Sequence, residues 1–301
     1  QIMKLDSDTF AYPGPTEQFL QIHNQSFSEL LTARIQKQVS SVTKSRGSTL
    51  LKVLAVFLLI ALAFYFFALP HVAAGMADRV SVSYEIQLGD QLYQSMKPGF
   101  DIDQQKTAYL NDFYIQLNFK TSYPITITVV KSDIPNAFAI PGGHIVIYDR
   151  ILEGMNSYEE LAALLAHEVT HIEKRHSLKS MFRHLSAQLF FTILIGDIDV
   201  VGGILLSNAE NLKQLSYSRH LETEADTYGV SLLAQQNISC QGFVQLFRLL
   251  QKETGNIAEG EWFSSHPDLE KRISNIRNLK YCNLPFNTNP TLHMIFEQLK
   301  N

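Results

Sequence analysis

The stretch His167-Glu168-Val169-Thr170-His171 decides how most of this 301-residue chain is interpreted. It is an H-E-x-x-H motif within a segment of helical character, with its two histidines one helical turn apart. Both imidazoles therefore leave the same face of the helix, where they can bind one metal ion. Glu168 lies beside them, in position to accept a proton from a metal-bound water. The alternative is a pair of core or surface histidines on an ordinary helix.

The residues before the motif predict a well-anchored helix. Ser157 and Glu160 have the S-x-x-E spacing of a capping box, in which side chains satisfy the free backbone donors at a helix start. Apolar residues follow at core-facing positions. A rigid, buried helix of this kind is what a metal site needs, because ordering mobile ligands would cost affinity.

A third protein ligand is expected downstream, since zinc sites of this type add an Asp, Glu or His to the two histidines. The segment 218–229 contains Glu222 and Asp226, four residues apart and so on one helical face. One carboxylate can bind the metal, and the other can accept a hydrogen bond from a ligand histidine. Taken alone, the segment is more typical of a solvated acidic helix, and it is the H-E-x-x-H helix that favours the ligand interpretation.

Four stretches in a fixed order resemble metallopeptidase family 48, which includes CAAX prenyl proteases, HtpX-like heat-shock proteases, mitochondrial Oma-type proteases and periplasmic assembly proteases. The resemblance spans residues 80 to about 280. The matching stretches are Asn136-Ala137-Phe138-Ala139-Ile140-Pro141-Gly142-Gly143-His144-Ile145, the H-E-x-x-H motif followed by His176, Glu222-Thr223-Glu224-Ala225-Asp226, and Ser265-His266-Pro267 with Arg272-Ile273.

The resemblance implies a peptidase with one zinc ion per chain, held by His167, His171 and Glu222. Glu168 would be the general base, taking a proton from the zinc-activated water and later passing it to the departing amine. Asp226 would orient a ligand histidine. Glu222 is preferred over Glu224 because the family's ligand is the Glu four residues before the Asp.

Two further histidines need an interpretation. The tetrahedral oxyanion needs a hydrogen-bond donor, and His266 is the candidate. The rival role for His266 is structural, because Ser265-His266-Pro267-Asp268 also has the form of a helix start with Pro267 at the first position. His176, five residues after His171, would point off the ligand face of a continuous helix, which favours packing or surface exposure over metal binding.

Strand patterns surround a turn signal at Pro141-Gly142-Gly143. Residues 125–130 and 144–148 both have strand character. An edge strand here could pair with an extended substrate through main-chain hydrogen bonds; the alternative is a plain hairpin that stabilises the domain. The predicted substrate-binding residues are Asn136, Ala137, Phe138, Ala139, Gly142 and Gly143.

A membrane segment is predicted before this domain. Residues 53–69 contain no polar side chain except that of Tyr65, and Pro70 marks a natural stop. With Thr49–Leu51 added, the stretch is long enough to cross a bilayer. Six Lys or Arg residues precede it within positions 1–52, against two in the thirty residues after Pro70. The positive-inside rule then predicts a cytoplasmic N-terminus and, in a bacterium with two membranes, a periplasmic catalytic domain.

A second apolar stretch, residues 189–206, contains Asp197 and Asp199, which are costly in lipid. It is interpreted as a helical insertion covering the cleft or resting on the membrane, with a second span as the alternative.

Cys240 and Cys282 are predicted either to form a disulfide outside the cytoplasm or to remain buried thiols. Helices are expected at 241–253 and 268–280. Residues 8–16 and 36–48 have the character of loop and linker.

The sequence thus predicts an α+β, mainly helical zincin (gluzincin) domain with a small β-sheet that carries the substrate-edge strand, preceded by one transmembrane helix. The boundaries are 1–48 for a cytoplasmic segment, possibly truncated, 49–72 for the membrane helix and 73–301 for the peptidase domain. The predicted function is a single-pass inner-membrane zinc endopeptidase acting on misfolded or unassembled envelope proteins. The alternatives are a chaperone-like client-binding protein with latent activity and a many-span prenyl-protein protease. A net charge of −4 does not favour nucleic-acid binding. The sequence does not predict the oligomeric state.

Overall fold

The computed structural model of the chain describes residues 3–5, 9–12, 16, 18–186, 188–189, 198–254, 266, 268–283 and 286–300. The chain divides into two compact units, Gln1–Phe66 and Phe67–Asn301. The H-E-x-x-H motif and all the other predicted site residues belong to the second unit.

The first unit combines an antiparallel three-stranded sheet, β1 (Met3–Lys4), β2 (Thr9–Tyr12) and β3 (Gln18–Gln21), with a long helix, α1 (Gln25–Ala63). The prediction of loop and linker is wrong where the structure describes these stretches. Residues 9–12 pair with both neighbouring strands, and 36–48 lie within α1. The long run of helix-compatible residues after the Asn24 cap carries the helix through Gly47, which costs only about 1 kcal/mol relative to Ala.

One helix among the described residues, Thr49–Arg79, is long and apolar enough to cross a membrane, and 6% of its most apolar window is buried. The expected stop at Pro70 is wrong. A π-helical turn, Phe64–Ala68, leads directly into α2 (Leu69–Ala77), which carries Pro70 in its first turn. The first turn of a helix tolerates proline because its backbone N–H would be unpaired there anyway.

The second unit is mainly helical. Two short 3-10 segments connect its elements at 97–99 and 209–214, and a third lies at 280–283. Its helices after α2 are α3 (Val82–Met96), α4 (Gln104–Leu117), α5 (Asp149–Glu153), α6 (Tyr158–Glu173), α7 (His176–His184), α8 (Ile198–Ser207), α9 (Arg219–Gln235), α10 (Gln241–Thr254), α11 (Leu269–Arg277) and α12 (Pro290–Lys300).

A three-stranded sheet in the order β4-β6-β5 stands beside α6. It consists of β4 (Thr126–Val130), β5 (Ala137–Ile140) and β6 (His144–Tyr148), with β4 parallel and β5 antiparallel to β6. The two predicted strands and the turn at Pro141-Gly142-Gly143 are confirmed, and β5 is an edge strand. Gly142 and Gly143 have φ of 85° and 130°, a region that favours glycine.

The motif helix α6 lies in the centre of the unit, packed against α9, α10 and β5. Its residues from Glu160 to Ile172 are all buried. The helix starts after Ser157 as predicted, but the capping box is incomplete: Ser157 makes no side-chain cap bond, and Glu160 Oε1 instead accepts from the backbone N–H of Asn156 at 3.3 Å. Burial on every side makes α6 a rigid support for its side chains.

The C-terminal helices fall where they were expected, with α11 ending three residues early at Arg277. Ser265 and Pro267, which were interpreted as part of a helix start, lie outside the described residues, and α11 begins only after Asp268. Cys240 and Cys282 form a disulfide that connects the residue before α10 to the segment after α11. Of the predicted insertion, Asp197 lies outside the described residues, and the described part forms α8, which packs against α3.

Candidate metal centre

The two motif histidines point their Nε2 atoms at one location. These atoms are 3.0 Å apart, and both rings are buried. The imidazole planes are nearly perpendicular, at 81°, so the lone pairs converge from two directions instead of stacking. Spacing of one turn along α6 is sufficient to produce this arrangement.

Helix α9 brings Glu222 to the same location. Its Oε1 lies 3.5 Å from His171 Nε2, and its Oε2 lies 3.6 Å from His167 Nε2. Burial would raise the pKa of Glu222, but neighbouring His266 and the Arg272 guanidinium together lower it. Glu222 is therefore held as a carboxylate, the form that binds a metal ion.

His266 is the fourth member of the cluster. Its Nδ1 lies 3.0 Å from Glu222 Oε1 and 3.3 Å from His167 Nε2. One potential ligand atom from each of these side chains and from His171 lies within 4.8 Å of the others. His266 was predicted to be either an oxyanion donor or a structural residue at a helix start, and the structure sets its Nδ1 among the potential ligand atoms.

Glu168 gives the clearest sign that this cluster fits a metal-activated water. Its side chain is completely buried, and neither carboxylate oxygen has a hydrogen-bond partner among the described residues. Burial raises the pKa of Glu168. An unpartnered buried carboxylate costs several kcal/mol, on the order of 3 or more, unless a ligand or water completes it. Two imidazoles and a carboxylate are also a donor set that zinc takes in catalytic sites.

A carboxylate lies on the side of the His167 ring that faces away from the cluster. Asp226 Oδ1 lies 3.2 Å from His167 Nδ1, which leaves Nε2 for the metal. Asp226 in turn accepts two hydrogen bonds of 2.7 Å from Arg272. Burial would raise the pKa of Asp226, but Arg272 and His167 lower it to about 2.

Arg272 is a site residue whose role the sequence did not reveal. Besides its bonds to Asp226, its Nη1 lies 2.6 Å from Glu222 Oε2, so one guanidinium holds two carboxylates that approach the histidines. The side chain is buried and also stacks over Phe247 at 4.3 Å. The available signal was the Arg272-Ile273 match in the weakest of the four motifs.

His176 is buried beside the cluster and outside the group of potential ligands, as the packing interpretation has it, whereas Tyr217 was missed. His176 is buried, with Nδ1 3.1 Å from His171 Nδ1 and Nε2 3.2 Å from Glu224 Oε2. The Tyr217 ring stacks on His171 at a centroid distance of 4.0 Å. The structure thus places Glu222 at the cluster and Glu224 behind His176.

The predicted substrate strand is present but covered. All four residues of β5 are buried, and the Ala139 carbonyl accepts a 2.8 Å hydrogen bond from Ser177, which also bonds Tyr217. Asn136 Oδ1 accepts from the backbone N–H of Ala137 at 2.9 Å. The Asn136 carbonyl accepts from the Tyr148 N–H of β6, so the backbone groups of Ala137 and Ala139 point away from β6. The bonds from Ser177 and to Asn136 therefore occupy backbone groups that a substrate strand would need.

The turn glycines have a packing explanation. A Cβ on Gly142 would lie 2.6 Å from the Glu85 carbonyl oxygen, so only glycine allows α3 to approach the turn. Gly143 meets the Pro124 carbonyl in the same way. Phe138 packs edge-on against Tyr148, at 6.2 Å between ring centroids.

Comparison with known proteins agrees with this geometry. The model of peptidase family M48 matches residues 104–280, more than half of the chain. The chain is 26% identical over 227 residues to the mitochondrial metalloendopeptidase OMA1 of Schizosaccharomyces pombe, covering 71% of this chain and 67% of the relative. It is 25% identical over 230 residues to the beta-barrel assembly-enhancing protease of Escherichia coli, covering 70% and 46%.

The metalloprotease YcaL of Escherichia coli is 30% identical over 159 residues, which cover 52% of this chain and 62% of the relative. The chain thus spans about two thirds of the fission-yeast relative and less than half of the assembly-enhancing protease. The family match covers the motif helix, the Glu222 helix and Arg272 together. On these grounds, the chain belongs to peptidase family M48 and is a metalloprotease.

Proposed function

We propose that this protein is a membrane-anchored zinc endopeptidase that hydrolyses peptide bonds of misfolded or unassembled envelope proteins. The observation that carries the proposal is the buried, unpartnered Glu168 carboxylate beside the converging His167, His171 and Glu222. A purely client-binding protein has no need to keep such a costly group in its core.

In the proposed mechanism, His167, His171 and Glu222 hold one zinc ion, with Asp226 orienting His167. Bound zinc would supply Lewis acidity, polarising the scissile carbonyl and lowering the pKa of a water toward about 7. Glu168 takes a proton from the attacking water and returns it to the departing amine. Burial raises the pKa of Glu168, which makes its carboxylate a stronger base toward the attacking water.

His266 is proposed to donate a hydrogen bond to the developing oxyanion, which its Nδ1 can reach from beside Glu222. Loss of one such donor costs about 10²–10³-fold in kcat. We expect His266→Ala to show a loss of that order while zinc content stays at one per chain. Loss of zinc instead would assign His266 as a ligand.

The substrate class rests on the relatives, one of which is named for β-barrel assembly. The proposed substrates are unfolded chains, which would pair with β5 once Ser177 leaves the Ala139 carbonyl. Asn136, Ala137, Phe138, Ala139, Gly142 and Gly143 would form this binding edge.

The proposed location is the cytoplasmic membrane, with the N-terminus in the cytoplasm and the catalytic unit in the periplasm. Supporting this are the apolar helix at 49–79, the excess of Lys and Arg before it, and the Cys240–Cys282 disulfide, which is typical of oxidising compartments. Alkaline phosphatase fused after Gly99 should be active in Escherichia coli. A fluorescent protein fused to the N-terminus should fluoresce, since it would stay in the cytoplasm. An inactive phosphatase fusion together with a dark N-terminal fusion would indicate the opposite topology.

Glu168→Gln tests the catalytic assignment in the full-length chain in detergent. The amide keeps the shape but cannot take a proton, so cleavage of an unfolded outer-membrane protein should fall by at least about 10³-fold with one zinc still bound. Glu153→Gln, an exposed substitution outside the site, is the matched control. Undiminished cleavage by the Glu168 variant would end the catalytic assignment and favour a client-binding role.

A further inference from the structure

His171 lacks the carboxylate that orients His167, yet its Nδ1 is not without a partner. The His176 Nδ1 atom lies 3.1 Å from it, inside the protein. On its other side, His176 Nε2 lies 3.2 Å from Glu224 Oε2, whose side chain is 39% exposed. The three side chains therefore connect the ligand histidine to the surface of α9.

The position of His176 depends on a backbone reversal. α6 ends at Glu173, and Arg175 adopts a left-handed conformation with φ of 59°. This turn starts α7 beneath the end of α6, so His176 faces His171 instead of continuing around the helix. A left-handed non-glycine residue is uncommon, which indicates that the surrounding contacts maintain it.

Hydrogen-bonding capacity fixes where the protons in this chain lie. A carboxylate only accepts, so His176 Nε2 must donate to Glu224. The Nδ1 atom of a neutral His176 then only accepts, and the hydrogen between the two rings must be carried by His171 Nδ1. His171 Nε2 is left with its lone pair, and this atom faces Glu222 and His167.

We propose that Glu224 and His176 are positioning residues that hold His171 in the tautomer and ring orientation that bind the metal. The E-x-E-A-D segment would then orient both ligand histidines, with Asp226 acting on His167 directly and Glu224 acting on His171 through His176. This inference rests on the metal site of the proposed function. It gives a role to Glu224, the second glutamate of the segment, which is not one of the proposed metal ligands.

The test measures zinc binding by the full-length, detergent-solubilised chain after removal of metal, using a chromophoric chelator as competitor. The variants are His176→Phe, which keeps a ring but removes both bonds, Glu224→Ala, and the two combined. Thr223→Ala is the control, since the hydroxyl of this exposed residue donates to the Arg219 carbonyl of its own helix. Partners of ligand histidines typically contribute 10–100-fold in affinity, so we expect about 10-fold or more weaker zinc binding for His176→Phe.

The double variant distinguishes a connected chain from two separate effects. If Glu224 acts only through His176, the double variant should bind zinc no more weakly than His176→Phe. The Co²⁺-substituted single variants should also show a changed visible absorption, because a rotated imidazole alters the ligand field. Unchanged zinc affinity in folded His176→Phe, or losses that add in the double variant, would overturn the inference.

His176→Asn keeps the proposal testable if the phenylalanine variant does not fold. The Oδ1 of asparagine can take the place of His176 Nδ1 and accept from His171 without help from Glu224. We expect this variant to retain most of the zinc affinity and to become insensitive to Glu224→Ala. If Glu224→Ala weakened zinc binding as much in the His176→Asn background as in wild type, the proposed action of Glu224 through His176 would be contradicted. Wild-type chain that binds zinc but cleaves nothing would overturn the proposed function and leave this inference standing.

Discussion

At the level of single residues, the candidate metal centre joins His167 and His171 to Glu222 and His266, and the Arg272 guanidinium holds the neighbouring carboxylates. The convergence of His167 and His171 follows from the geometry of α6, whereas Glu222 joins them through the packing of α9 on α6, and the family resemblance separated Glu222 from Glu224. The position of His176 could not be predicted, because counting around a helix fails once Arg175 turns left-handed. Arg272 and Tyr217 reach the site only through tertiary packing, which local periodicity does not encode.

The Arg272 guanidinium should be the most sensitive structural residue of the site. Arg272→Met would leave Asp226 and Glu222 as buried carboxylates without their cation, which costs about 3–5 kcal/mol for a broken buried pair. Urea unfolding of the metal-free protein measures this loss. Arg277→Met, on the exposed side of the same helix, should change stability by less than about 0.5 kcal/mol. Equal stability of the two variants would mean that the carboxylates find other partners.

At the level of elements, the sequence predicted the strands and helices around the motif and missed those in the first 48 residues. Runs rich in β-branched residues made β4 and β6 recognisable, and the Pro-Gly-Gly signal located the turn before β6. The first unit lacked such a signal, since its strands are two to four residues long and α1 runs through a polar stretch that resembles a linker. The start of α6 shows a second limit of sequence patterns. The S-x-x-E spacing located the start of the helix, but it did not determine which backbone donors the side chains of Ser157 and Glu160 satisfy.

The turn between β5 and β6 should tolerate no side chain at Gly142. An alanine there combines a φ of 85° with a Cβ 2.6 Å from the Glu85 carbonyl, so we expect a loss of at least about 2 kcal/mol. Gly203→Ala, within α8 and with no atom within 4 Å of the added Cβ, should instead stabilise by roughly 0.5–1 kcal/mol. Thermal unfolding measures the stability of both variants against wild type. A Gly142→Ala variant as stable as wild type would show that the turn can move away from α3.

The disulfide joins residues 42 positions apart, and the loop that it closes contains α10 and α11, the helix that carries Arg272. Chain-entropy arguments give a contribution of about 4 kcal/mol for such a loop. The Cys240→Ser, Cys282→Ser double variant should therefore melt several degrees below wild type, and reductant should lower the melting temperature of wild type alone. Identical melting of both proteins in oxidising buffer would contradict a stabilising bridge.

At the level of the whole molecule, a buried ion pair connects the start of α3 to the end of the motif helix. Arg175 Nε lies 2.7 Å from Glu85 Oε2, which also accepts from Tyr123. The same guanidinium donates to the carbonyls of Asp78 and Val80, just after α2. Burial is the largest influence on Glu85 and raises its pKa in spite of Arg175.

This shift predicts the sign of a pH effect. A carboxyl group whose folded pKa is raised contributes stability that is complete below its unfolded pKa of about 4.5 and is lost as pH rises through the folded value. The unfolding free energy of wild type minus that of Glu85→Gln should therefore be larger at pH 4 than at pH 7. Denaturant titrations of both proteins at the two pH values measure it. A difference that grows with pH would mean that Arg175 outweighs burial.

α2 (Leu69–Ala77) forms the C-terminal part of the apolar helix at 49–79, and it packs on α7, with Ala73 and Ala77 buried. If this helix spans the bilayer as proposed, the chain passes from the anchor into an element of the catalytic unit without a linker, which keeps the enzyme close to the membrane. Cleavage would then depend on how many client molecules lie against the membrane surface, and only weakly on their number in the surrounding compartment. Tethering a poor client to lipid should make it a good one without any change in its sequence.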